Sequence, residues 1–141
     1  MRLYVDSNVL ISFINREFGG GLEFMEYRVG EFFSVCSEDK HTIVLSEYTL
    51  TEIRKCTGLP RKEIIDMLKN LNLIVEYKDI NWKIIERRNR ELKEIQQIHR
   101  SDRAHVIMAL ESKCDCIVTW NTRDLEVAKN LIAILPPSEF T

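Results

Sequence analysis

The sequence predicts an α/β protein, a three-layer α/β/α sandwich around a central, mostly parallel sheet of roughly five strands. Three observations predict it. Five short runs rich in valine and isoleucine are apolar almost throughout rather than alternating, the pattern of strands covered on both faces. Segments with helical spacing separate these runs, so successive strands are joined by crossovers, which are right-handed in a parallel sheet. The length, 141 residues, suits one domain with a proper core and is too short for two.

The strands are expected at Leu3–Val5, Thr42–Leu45, Leu73–Glu76, Cys116–Thr119 and Ile132–Leu135. A short helix over Val9–Asn15 follows the first strand, and a longer one over Leu22–Ser37 comes next. Glu47–Thr57 and Pro60–Asn70 form a helix pair, punctuated by Gly58 past one helix end and Pro60 near the next start. A long charged helix is expected from Ile80 to Gln97. Ser101 is placed to cap the following helix, Asp102–Lys113. Its unbroken apolar run from Val106 to Leu110 predicts burial around most of its circumference, against the middle of the sheet. Asn121 or Thr122 caps a last short helix reaching Asn130, and the Pro-Pro-Ser-Glu-Phe tail closes the fold. Gly19-Gly20-Gly21 is read as a flexible cluster. It is not a phosphate loop, because no Gly-Lys-Ser/Thr follows.

Composition excludes several classes. No apolar stretch approaches membrane-spanning length, and the chain enters its first strand at once, so a cytoplasmic protein with no membrane association is expected. The four cysteines form no CxxC pair and are expected to be buried, reduced thiols rather than zinc ligands or disulfides. A net charge of −2 provides no global attraction for nucleic acid. Between Lys83 and Arg103, however, seven basic residues face four acids. Pairs such as Glu86 with Arg90 fit a solvated helix face, and the same stripe would suit a phosphate backbone.

Four acids carry the chemistry. In a parallel sheet the crossover helices run antiparallel to the strands, so helix N-termini share a rim with strand C-termini, where open α/β folds bind ligands. Asp6 ends the first strand, Glu52 lies in the second turn of the helix after the second strand, Asp102 begins a helix, and Asp124 follows the fourth strand. Taken singly, each has a bland reading as a turn former, a solvated acid or a helix-dipole partner. Together they would repel each other strongly unless cations sit among them, which points to magnesium or manganese and to phosphate chemistry.

The motifs DSNVLI, LSEYTLTEI, SDRAHVIMAL and TWNTRDL, in that order, with the closing LPPSEF, resemble the PIN domain, and the match runs over essentially the whole chain. PIN domains are metal-dependent ribonucleases and include the toxins of VapBC toxin–antitoxin pairs. The resemblance places the family's acids on Asp6, Glu52, Asp102 and Asp124, with Asn8, Thr119 and Asn121 as polar support. It implies hydrolysis of RNA phosphodiester bonds using one or two Mg²⁺ or Mn²⁺ ions. Asp6, Asp102 and Asp124 would be the metal ligands, with Glu52 bridging through water or assisting as base. Trp120, where the family often has a basic residue, and Arg103 are candidate RNA contacts, although Trp120 equally suits packing. Leu125 replaces the family's usual phenylalanine, and Arg103, His105 and Met108 replace small residues. His105 is read as a structural histidine. The stretch from Arg16 to Asp39 departs most from the family and reads as a variable contact surface.

The resemblance further implies a homodimer and a small antitoxin protein. The dimer would use the amphipathic segment LEFMEYRVGEFF or the helix Glu47–Thr57, although the apolar stripe of the first suits a core face better. Three other functions compete. A catalytically inactive PIN-like module would bind RNA or protein only. A haloacid-dehalogenase-like phosphatase would need a second acid where Asn8 stands, and a receiver domain would need an aspartate after the third strand.

Overall fold

The computed structural model describes residues 1–18 and 23–140, with the side chains of residues 16–28 left aside. The Gly19-Gly20-Gly21 cluster, Leu22 and the side chains of Phe24, Met25 and Tyr27 therefore lie outside the described residues. Five strands, β1 (Arg2–Val5), β2 (Thr42–Ser46), β3 (Ile74–Lys78), β4 (Cys116–Val118) and β5 (Ala133–Leu135), form one parallel sheet in the order β3-β2-β1-β4-β5. Six α-helices flank it: α1 (Ser7–Phe18), α2 (Glu23–Glu38), α3 (Glu47–Thr57), α4 (Arg61–Asn70), α5 (Trp82–Glu91) and α6 (Arg100–Glu111).

Alternation along the strands divides the interior into two layers. Leu3, Val5, Ile43, Leu45 and Val118 face one core with Val9, Phe13, Val29, Phe32, Ile53, Ile64 and Leu68 from α1 to α4. Tyr4, Val44, Ile117 and Ile134 face the other, with Ile85 of α5 and Val106, Ile107, Met108 and Ala109 of α6. The apolar run in α6 thus packs against the sheet's central strands, as its sequence predicted. From the expected dimer segment, Val29, Phe32 and Phe33 are fully committed to the first core.

Punctuation follows the sequence closely. The Ser46 side chain accepts from Thr49 N to cap α3, and Gly58, with φ of 77°, donates its N–H to Arg54 O at the other end. The structure departs from expectation in three places. The long charged helix stops at Glu91, and a 3₁₀ segment (Lys93–Gln97) follows it. On a continuous helix, residues 10 and 13 positions beyond Ile85 would be turned about 80° and about 140° from its direction. Breaking there lets Ile85, Ile95 and Ile98 all enter one core, while the Gln96 amide donates to Leu92 O at 3.2 Å. Second, α6 begins two residues earlier than expected, at Arg100. His99, not Ser101, caps it: its Nδ1 accepts from Ser101 N at 3.4 Å. Third, the last short helix is a set of turns ending in a 3₁₀ segment (Glu126–Ala128), which suits the i,i+3 spacing of buried Leu125 and Ala128.

The four cysteines are free. Cys36 and Cys116 are buried, with thiol pKa values pushed up by burial to about 12 and about 11. Cys56 is exposed, against expectation, in the last turn of α3. The expected Glu86–Arg90 pair gives way to Arg87–Glu91 and Arg88–Glu91, at 3.7 and 3.3 Å. No helix among the described residues is long and apolar enough to cross a membrane.

Candidate metal centre

The strand order reverses between β1 and β4, and the crevice beyond their C-terminal ends is where such sheets bind ligands. Asp6 stands there. Its backbone N–H continues the ladder to Val118 O at 2.9 Å, and its carbonyl accepts from Val9 N at 3.1 Å to open α1. The carboxylate is 9% exposed and held on both oxygens. Ser7 Oγ donates to Oδ1 at 3.3 Å, and Thr119 Oγ1 donates to Oδ2 at 2.8 Å.

Thr119 is in turn the hub of the polar support expected from sequence. Its hydroxyl accepts from Asn8 Nδ2 at 3.1 Å and from Asn121 N at 3.0 Å, while Asn8 Oδ1 accepts from Trp120 N at 3.3 Å. These bonds tie the end of β4 to the start of α1 and fix the carboxylate of Asp6 by a second layer of partners. Trp120 is partly buried against the first core, with its indole N–H donated to Ser12 Oγ at 3.2 Å. That is the packing alternative of the two the sequence left open. Arg103 Nε and Nη2 donate to Ile98 O and Gln96 O, at 2.7 and 2.9 Å, so its guanidinium clamps the 3₁₀ segment to α6.

Three ligand-bearing side chains meet at the crevice. Asp6, Glu52 and His105 each offer one ligand atom, and these atoms lie within 4.8 Å of one another. A divalent ion bound at roughly 2.0–2.2 Å requires ligand atoms no more than about 4.4 Å apart. The cluster therefore fits an ion with slight closure. Asp102, half-buried in the first turn of α6, is near enough to feel both carboxylates: burial first, then the charges of Asp6 and Glu52, raise its pKa above the usual aspartate value. Asp124 is exposed in the turn after β4 and stands outside the three-residue group.

His105 is the residue the sequence reading undervalued. It is 3% exposed, and its Nε2 contacts the Glu52 carboxylate. Its Nδ1 lies 2.7 Å from Tyr4 Oη, which continues to Ser46 Oγ at 2.7 Å. Burial opposes the imidazolium, but Tyr4, Glu52 and Asp6 outweigh it, and the pKa is raised well above the ordinary histidine value. For Glu52, burial is likewise outweighed, chiefly by the bond to His105, and its pKa is lowered. In the metal-free protein His105 is thus a cation donating to Glu52. The expectation of a cluster built only from oxygen ligands is corrected: an imidazole sits inside it. The available signal was spacing. His105 follows Asp102 by about one helical turn and so shares its face.

No protein-family model and no curated protein matches the sequence. Solved structures do match in fold. VapBC2 from Rickettsia felis, bound to a promoter DNA fragment, is 15% identical, with a TM-score of 0.67 over 96% of this chain and 98% of that one. A PilT N-terminus domain protein from Sulfolobus solfataricus is 11% identical, with a TM-score of 0.54 over 99% and 90%. VapC20 from Mycobacterium tuberculosis, a toxin that cleaves the sarcin–ricin loop, is 11% identical, with a TM-score of 0.54 over 82% and 86%. The chain has a PIN-like fold, the one shared by VapC-type toxins.

Proposed function

We propose that this protein is a divalent-metal-dependent endoribonuclease and the toxin of a toxin–antitoxin pair. The observation that carries the reading is the meeting of Asp6, Glu52 and His105, with Asp102 beside them, at the switch point of a PIN-like sheet. Asp6, Asp102 and Glu52 would hold Mg²⁺ or Mn²⁺, and Asp124 would join them through the turn after β4. A bound ion of this kind polarises a phosphate and lowers the pKa of its water.

The chain's own residues prepare that site. Thr119 and Ser7 fix both oxygens of Asp6. Tyr4 holds the His105 ring, and His105 aims the Glu52 carboxylate at the crevice, leaving it ionised and able to accept a proton from water. Any ligation through His105 Nε2 requires loss of its proton, so metal affinity through that atom rises with pH.

The partners follow from the same reading: an RNA substrate, a small antitoxin covering the acidic crevice, and a second copy forming a homodimer. Purified protein is expected to cleave single-stranded RNA with Mg²⁺ or Mn²⁺, and activity at full rate in excess chelator would sink the reading. Light scattering at tens of micromolar tests the dimer separately, and a strict monomer would overturn it.

One observation favours a second reading, a catalytically inactive module. The His105 imidazolium already supplies a positive charge among the acids, so the cluster has some electrostatic support without metal. Calorimetric titration with Mn²⁺ separates the two. Binding that is lost in Asp6→Asn supports the enzyme, and the same weak heats for both proteins support the inactive module.

A further inference from the structure

The candidate centre opens into a cleft of about 670 Å³ between α3, the start of α5 and α6, walled by Tyr48, Glu52, Lys55, Ile80, Trp82 and His105. Glu52 and His105 are common to cleft and centre, so the two are continuous. At its outer end Trp82 is 58% exposed, the most exposed large apolar side chain among the described residues. Such exposure of an indole forgoes burial that the fold gives, at least in part, to every other phenylalanine, tyrosine and tryptophan ring with described surroundings.

Trp82 is nonetheless held firmly. It is the first residue of α5, whose N-terminus Asn81 caps by accepting from Ile84 N at 3.3 Å. Its ring meets Tyr48 nearly at right angles, at 5.3 Å between centroids and 78° between planes, so Tyr48 props the indole without stacking on it. Tyr48 meets His105 in the same edge-on manner at 5.9 Å. Three rings therefore lead from the metal ligands to an open aromatic face. Lys55 brings positive charge to a wall that also holds Glu47 and Glu52, and Arg100 and Glu47 both lie near enough to Tyr48 to act on it electrostatically.

We propose that Trp82 is the stacking platform for a nucleobase of single-stranded RNA whose neighbouring phosphate lies at the acid cluster. The proposal rests on the ribonuclease reading and names a part of the substrate site that Trp120, packed on Ser12, does not serve. Aromatic platforms take any base because each has a π-face, whereas a duplex keeps its bases stacked on one another. Lys55 and Arg100 supply the backbone charge complement that a purely apolar protein-docking groove would not need.

The test uses fluorescence anisotropy of a labelled single-stranded oligoribonucleotide with Asp6→Asn protein, so that binding is read without cleavage. Adding Trp82→Ala is expected to weaken binding about tenfold or more, and Trp82→Phe to recover most of it. A duplex of the same sequence should bind both proteins alike. An abasic nucleotide at one position should erase the difference between the Asp6→Asn protein and its Trp82→Ala derivative. Equal affinity of the two for the intact single strand, or equal losses for single strand and duplex, would overturn the platform. Unchanged RNA affinity with weakened inhibition by the protein encoded beside this one would assign the cleft to a protein partner and overturn it equally. A wild-type protein that binds the oligomer through Trp82 but never cleaves it with Mg²⁺ or Mn²⁺ would remove the ribonuclease reading and leave the platform standing.

Discussion

Strand β1 carries a charged group near each end, and the two are treated in opposite ways. Near its start, Arg2 reaches across β2 to Glu76 on β3, 2.6 Å away, while Lys78 holds the other oxygen of Glu76 at 2.7 Å. Two more guanidinium bonds go to Ser112 O at 3.2 and 2.8 Å, and the Arg2 backbone N–H donates to Asp115. Past its other end, Asp6 meets Glu52 and His105, with Asp102 near enough to feel both carboxylates. Matched charge at one end serves the fold. At the other, burial and the charges of Asp6 and Glu52 raise the pKa of Asp102, an imbalance that would suit a bound cation.

The largest expected effect breaks that contrast directly. Asp6→Asn should lower RNA cleavage by more than about 10³-fold, because a lost metal ligand removes several kcal/mol of transition-state stabilisation. Arg2→Met should leave cleavage per folded molecule within about twofold. A gel-based cleavage assay at matched folded concentration checks both, and comparable losses from the two variants would erase the division between the ends.

Stability should run the other way. Arg2→Met removes three guanidinium bonds, leaving Glu76 with Lys78 alone and Ser112 O without its two donors, at a cost of about 1–2 kcal/mol after allowing for the one-third exposure of the ion pair. Asp102→Asn should leave the metal-free protein as stable as wild type or more so. Burial and the charges of Asp6 and Glu52 disfavour the carboxylate, and the opposing loss at the helix N-terminus is only about 0.3–1 kcal/mol. Urea unfolding in chelator measures both, and a loss of several kcal/mol in Asp102→Asn would make Asp102 a structural cap. With saturating Mn²⁺ the order of wild type and Asp102→Asn should reverse, since only a native site that binds the ion gains by mass action.

The fold was legible because it is written in short-range pattern. Each of the five apolar runs became a strand, and Gly58 ended α3 and Pro60 preceded α4 where their chemistry suggested. What escaped was decided by tertiary packing. Nothing local says that Ile95 and Ile98 must share a core with Ile85, so the charged stretch looked like one helix. The convergence of Asp6 with Glu52 was readable from topology, because rim positions follow from strand direction. The roles of His105 and Trp82 were not. His105 depends on Tyr4, a hundred residues earlier, and Trp82 is marked only by an exposure that no spacing encodes. Sequence left Trp120 open between packing and RNA contact for the same reason: its Ser12 partner is brought near by the β1–β4 pairing, not by local sequence.

The smallest effect is one of pH, and it gives Glu76 and Asp102 opposite slopes. Hydrogen bonds from Arg2 and then Lys78 hold the Glu76 carboxyl down to about 2, against an ordinary value of 4.5. Between those values the unfolded chain binds more protons than the native one, so stability rises with pH across the window. The contribution is fully present above about pH 4.5 and is lost as pH falls through about 2. Asp102 does the reverse: its raised pKa means that the native state holds the proton longer, so stability falls as pH climbs from 3.8 through the folded value. Because the Glu76 side chain is a third exposed, solvent screening should hold its share to about 1 kcal/mol or less. In chelator, Glu76→Gln should therefore flatten the rise in urea midpoint between about pH 2.5 and 4.5 and leave the decline above it intact. Asp102→Asn should remove the part of the decline that begins near pH 3.8 and leave the rise. If Glu76→Gln keeps the full acid limb of the wild type, the pairing near the start of β1 does not carry the stability assigned to it.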